Sequence, residues 1–132
     1  MKLTADTNLL LRLVTPDDAQ QQDIAIGTLK TADLVAISVH VFCELAWVME
    51  RRYGAPRTQI ARAIRQFMET RNVVFDRPAV EAGLALLEAG GDFADGVIAF
   101  DGRRLGAETF ASFDRKAVKL LAERGIDAFL LS

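Results

Sequence analysis

The chain has 132 residues, 51% of them apolar and 26% charged, a length and balance that fit one globular domain, residues 1–132, with a real hydrophobic core. A net charge of −2 argues against a protein that holds nucleic acid by bulk charge alone, since such binders carry a basic excess. No run of about 18 apolar residues is free of charge, and Met1-Lys2-Leu3-Thr4-Ala5-Asp6 reaches an acid too soon for a signal peptide, so a cytoplasmic, non-membrane protein is expected. The single cysteine, Cys43, cannot form an internal disulfide and lies in an apolar run, where a buried, chemically inert role is expected.

In chain order, Lys2 to Ala5 reads as a short strand, and Asp6-Thr7-Asn8 ends it and caps a helix through Val14. Pro16-Asp17-Asp18 starts a second helix running to about Lys30. Leu34 to Ile37 is a compact strand-type run, and Ser38 is an N-cap for a largely buried helix from Val39 to about Tyr53, stopped by Gly54. Pro56 opens a helix with apolar residues at helical spacing: Ile60, Ala63, Ile64, Phe67 and Met68. Val73-Val74-Phe75 is the next strand. A helix then begins at Pro78 and ends before Gly90-Gly91, and another starts at Asp92. Glu108 to Ala111 reads as a strand, Asp114 to Arg124 as a helix and Ala128 to Leu131 as a last strand. Short apolar strands alternating with helices predict an α/β fold with a mostly parallel four- to five-stranded sheet flanked by helices. Sheets of that type bind ligands at the carboxyl ends of their strands.

Asp6 follows the first strand, Asp114 follows the fourth, Glu44 lies two turns into the helix after the second, and Asp95 sits in the first turn of the helix before the fourth. Glu44 is surrounded in sequence by apolar residues, from Val39 to Met49, and a carboxylate there is costly unless it is paired, exposed on a narrow stripe with His40, or bound to a cation. Asp6, Asp95 and Asp114 each have an ordinary alternative as helix caps. Asp92, three residues before Asp95, reads as the better cap of the two and leaves Asp95 free. Four carboxylates brought together without a balancing lysine would repel one another, which implies hard divalent cations, Mg²⁺ or Mn²⁺. Such ions serve phosphodiester hydrolysis by activating water and stabilising the leaving oxygen. Neither a His–Glu–His zinc pattern nor a glycine-rich phosphate loop is present.

Asp6-Thr7-Asn8 after a first strand, Cys43-Glu44-Leu45-Ala46-Trp47-Val48, Asp92-Phe93-Ala94-Asp95 and Ser112-Phe113-Asp114, in this order over nearly the whole chain, resemble the PIN-domain ribonucleases, with the nearest likeness to VapC-type toxins of bacterial toxin–antitoxin pairs. The resemblance implies a Mg²⁺- or Mn²⁺-dependent RNA endonuclease, usually dimeric and held inactive by a cognate antitoxin. It implies Asp6 as the central metal ligand, Asp95 as its main partner, Glu44 and Asp114 completing the acidic pocket, and Asn8 and Ser112 orienting ligands or substrate. Ser112 stands where threonine is commoner, which keeps the hydroxyl. His40 has no implied role.

Twelve of the sixteen basic residues are arginine, and Arg51, Arg52, Arg57, Arg62 and Arg65 fall close together, as an RNA path, an antitoxin-facing surface or a solvated helix face. The helices at 7–15, 39–53 and 56–69 carry apolar residues beyond the needs of a small core, Trp47, Phe67 and Met68 among them, so a homodimer and an antitoxin groove are expected. One alternative is a non-catalytic PIN-like interaction module. Another is a phosphoacceptor receiver domain, which would need an Asp acceptor after the third strand and a lysine near the fifth. Here Asp76-Arg77-Pro78 follows the third strand, and no lysine follows Lys119.

Overall fold

The computed structural model describes residues 1–132, which gather into two compact units, Met1–Asp76 and Arg77–Ser132. The first contains β1 (Lys2–Thr4), α1 (Thr7–Val14), α2 (Ala19–Thr31), β2 (Leu34–Ala36), α3 (Val39–Arg51), α4 (Arg57–Met68) and β3 (Val73–Val74). The second contains α5 (Arg77–Glu88), α6 (Phe93–Arg104), β4 (Phe110–Ser112), α7 (Arg115–Glu123) and β5 (Ala128–Leu130). Every strand pairing is parallel: β1-β2-β3 form one sheet and β4-β5 the other. With seven helices around these five strands, the protein has the α/β architecture expected from its alternating apolar runs.

In the first unit the register sets Leu3 beside Val35 and Val35 beside Val73, so a buried valine forms the centre of the sheet. Leu10, Ile37, Phe42, Leu45, Ile60 and Ile64 are fully buried, and the Phe42 and Phe75 rings meet edge to face with centroids 6.1 Å apart. Complete burial of each such side chain contributes roughly 1.5–3 kcal/mol. In α3 the buried residues Phe42, Leu45, Ala46 and Met49 define one face, and the opposite stripe, His40, Glu44, Trp47 and Arg51, is exposed. The helix is thus amphipathic rather than largely buried, and Glu44 lies on its wet side in the exposed stripe with His40. Phe67 and Met68 belong to the core, whereas Trp47 stays 59% exposed with the Arg51 guanidinium over its ring. Cys43 is half-buried rather than buried.

The second unit rests on a close hairpin of α5 and α6. A Cβ on Gly96 would lie 2.5 Å from the Ala82 carbonyl oxygen, and one on Gly83 would lie 2.6 Å from the Phe93 ring. Only glycine permits that approach, and it fixes the first turn of α6, where Asp95 sits. β4 begins at Phe110, two residues later than the sequence suggests. Gly106, at φ +105°, and the bond from Ala107 N–H to the Gly102 carbonyl close the end of α6 and use up the intervening residues. Leu86, Ala99 and Leu121 form the buried cluster beneath β4 and β5, with Phe110, Ile126 and Ala128 packed on it. No helix is long and apolar enough to cross a membrane.

Candidate active site

Asp6 lies two residues past the end of β1 and is the N-cap of α1. Its backbone is extended, and its Oδ1 accepts from the Leu9 amide at 2.9 Å. The next residue, Thr7, is buried, and its hydroxyl donates to Glu44 Oε1. That bond ties the exposed face of α3 to the first turn of α1 and holds Glu44 one residue away from Asp6. Thr7 was not singled out in the sequence. The signal for it is slight: a hydroxyl immediately after the capping acid, where a side chain of the first helical turn points inward. Asn8 is exposed on the same turn and lines a shallow groove with Leu9, Arg12, Gln21 and Ile24. His40 is exposed on α3, one turn before Glu44.

In the second unit Asp114 caps α7, and its Oδ1 accepts from the Lys116 amide at 3.0 Å and the Ala117 amide at 3.1 Å. The Asp114 amide in turn donates to Ser112 Oγ at 3.0 Å, so the turn after β4 is braced on both sides. In Asp6 and Asp114 alike, the capping bonds fall on Oδ1 and leave Oδ2 outside them. Capping and ion binding are therefore compatible in one side chain, although the sequence presents them as alternatives.

Asp95 is the perturbed group. Its carboxyl is held above the ordinary carboxylate range, first by burial, then by the negative charge of Asp92 and then by that of Asp114. Asp92 is the N-cap residue of α6 but makes no side-chain capping bond. This corrects its reading as a plain cap: its charge bears on Asp95 instead. The signal was the three-residue spacing itself, which puts two like charges on one side of a helix start.

No group of three or more His, Cys, Asp or Glu side chains stands close enough to hold a metal ion. Asp6 and Glu44 belong to the first unit and Asp95 and Asp114 to the second. The donors still fit the ion in kind. They are hard carboxylate oxygens, and Mg²⁺ characteristically takes one or two carboxylates and fills its other positions with water and substrate phosphate oxygens. The crowding of Asp95 by two acids is the electrostatic condition that favours a cation.

A comparison with curated proteins gives no match. The family model described as the PIN domain matches residues 4–122, from the end of β1 to the last turns of α7, with all four acids inside the matched span. With nearly the whole chain matched, the protein belongs to the PIN-domain family.

Proposed function

We propose that this PIN-domain protein is a Mg²⁺- or Mn²⁺-dependent endoribonuclease that acts as the toxin of a toxin–antitoxin pair. The observation that carries the reading is Asp95, half-buried and pressed by the charges of Asp92 and Asp114 in a chain whose family is consistent with a nuclease. Asp6, Glu44, Asp95 and Asp114 would hold the ion, which when bound would supply Lewis-acid activation of water and neutralise charge on the phosphate. The protein's own groups do the positioning. Thr7 fixes the Glu44 carboxylate, Ser112 and the α7 amides fix Asp114, and Asn8 and Ser112 offer hydrogen bonds to the substrate. A metal-free route through the RNA 2′-hydroxyl normally uses a pair of acid–base side chains, and His40 is the only histidine. Exposed Trp47 and Ile24 give the first unit apolar surface for a second copy or for an antitoxin segment.

The test is cleavage of structured RNA by the purified chain with Mn²⁺ or Mg²⁺, followed by mapping of the ends. Products with 5′-phosphate and 3′-hydroxyl ends, lost on adding EDTA, are expected. Asp114→Asn and Glu44→Gln are each expected to slow cleavage by roughly 10²-fold or more while RNA binding persists, and His40→Ala to change little. Cyclic-phosphate ends, or cleavage that survives EDTA, would overturn the mechanism. RNA binding without any cleavage would support the non-catalytic module instead. The toxin role predicts that expression arrests growth, and that co-expression of the product of a short adjacent reading frame restores it.

A further inference from the structure

Apart from its acids, the second unit holds a cavity of about 280 Å³ between α5, α6 and α7. Its floor is the buried cluster of Leu86, Ala99 and Leu121, and Ala85, Phe100 and Ile126 form its walls. It runs along α6 from Gly96 to Arg103, about 10 Å of helix. No acid lines it. Its charged groups are Arg103 and Arg124, both exposed and so at its rim. Arg103 lies in the last turn of α6 and Arg124 is the C-cap of α7, where cations ordinarily answer the unpaired carbonyl ends of a helix. Neither guanidinium makes an ion pair or a side-chain hydrogen bond, whereas the adjacent Arg104 lies 3.9 Å from Asp101 and 4.5 Å over the Phe100 ring. The neighbouring cleft beside β4 shares Ala99, Arg103 and Ile126 but includes Glu108, so the side toward α7 is the one suited to an anion.

We infer that this cavity is a binding site for a small amphipathic carboxylate, with its chain on Leu86 and Leu121 and its carboxylate between Arg103 and Arg124. At roughly 30 Å³ per water-sized group, the space takes about nine such groups, the size of octanoate. A peptide helix, about 10–12 Å across, is too wide for it. Apolar walls favour a hydrocarbon chain, by about 4-fold in affinity for each buried CH₂. Guanidinium is the cation best matched to a carboxylate, because its paired N–H donors meet both oxygens. The site uses none of the acids assigned to the metal, so it stands whether or not the chain is a nuclease.

The experiment titrates the full chain, in EDTA, with butyrate, hexanoate, octanoate and dodecanoate below their aggregation concentrations, followed by calorimetry and by NMR amide shifts. One octanoate per chain is expected, with shifts centred on Gly96, Ala99, Leu121 and Ile126. Affinity should rise about 4-fold per added CH₂ up to octanoate and level off by dodecanoate, where the chain outgrows the cavity. Arg103→Gln and Arg124→Gln should each weaken octanoate by roughly 2- to 5-fold, as befits groups at an exposed rim, and uncharged octanamide should lose as much as the double variant. Ala85→Leu fills the space and should abolish binding with the melting temperature kept or raised. Should that variant fail to fold, the arginine variants and octanamide decide the matter. Octanamide binding as tightly as octanoate would leave an apolar void with no carboxylate site. Affinity that climbs on through dodecanoate, or shifts scattered over the surface, would mean adsorption. No saturable binding, or binding seen only when dilution separates copies of the chain, would give the cavity no small-molecule role. Each of these outcomes overturns the assignment.

Discussion

In residues 1–76 each site acid is answered by a donor: the Leu9 amide for Asp6 and the Thr7 hydroxyl for Glu44, both acids being otherwise exposed to water. In residues 77–132 Asp114 is answered in the same way, but Asp95 is half-buried and meets the charges of Asp92 and Asp114. A solvated, hydrogen-bonded carboxylate gains little from a cation beyond what water already supplies. A carboxylate that has lost water and faces like charges gains much more from a positive ion. The comparison makes Asp95 the acid of the proposed set expected to gain most from Mg²⁺ or Mn²⁺.

The largest effect that tests this contrast is on cleavage and metal linkage. Asp95→Asn is expected to lower cleavage by roughly 10²- to 10³-fold and to remove the rise in melting temperature produced by Mn²⁺. Glu44→Gln should also slow cleavage, yet keep more of the Mn²⁺-dependent rise, because Glu44 is exposed and already accepts a hydrogen bond from Thr7. Thermal melts of the two variants with and without Mn²⁺ decide the matter. A rise lost in Glu44→Gln and kept in Asp95→Asn would reverse this ranking of the two acids.

A smaller effect concerns the hairpin that places Asp95. Gly96→Ala puts a methyl group against the Ala82 carbonyl, and overpacking of that kind costs about 1–3 kcal/mol. Backbone oxygen cannot rotate aside as a side chain can, so α6 must shift and carry Asp95 with it. Denaturant midpoints and cleavage rates are expected to fall together. Cleavage at the wild-type rate in a destabilised Gly96→Ala would show that the position of Asp95 does not depend on this approach. In the first unit the matching change is gentler. Thr7→Val removes the donor to Glu44 at a cost of about 0.5–1.5 kcal/mol, and exposed Glu44 recovers water, so cleavage should suffer more than stability. Thr7→Ser should restore both.

The contrast between the two regions also explains what the sequence could and could not reveal. Alternating apolar runs and helix starts are local, so the α/β class, the parallel strands and the positions of Asp6 and Asp114 at strand ends were legible from spacing. The wet side of α3 was less so, because Cys43, Val41 and Trp47 share apolar chemistry with Phe42 and Leu45, and only packing separates them. The role of Thr7 and the effect of Asp92 on Asp95 escape the sequence for a common reason. Each acts on a neighbouring carboxylate, Thr7 across 37 positions by a hydrogen bond and Asp92 through space by its charge. Neither influence leaves a periodic trace. Capping and ion binding read as alternatives for an aspartate in sequence, whereas the capping bonds of Asp6 and Asp114 engage Oδ1 alone.

The smallest expected effect follows from the sign of the Asp95 shift. Its carboxyl titrates above the ordinary range in the folded chain, so between the unfolded and folded values the native state binds more protons than the unfolded one. Stability contributed at this residue is therefore greatest below the unfolded value of about 3.9, declines as pH rises through the folded value, and is flat above it. Asp95→Asn removes the titration, so the variant should gain on the wild type as pH rises through that window and keep the advantage at neutral pH. Asp92→Asn keeps the group but removes a like charge, which should narrow the window from its upper side. Solvent screening keeps the effect modest, because Asp95 is only half-buried. Urea midpoints of the three proteins in EDTA, measured from about pH 4 upward, provide the check. A wild type that gains on Asp95→Asn as pH rises would mean that Asp95 has a compensating partner in the fold, and the contrast between the two units would fail.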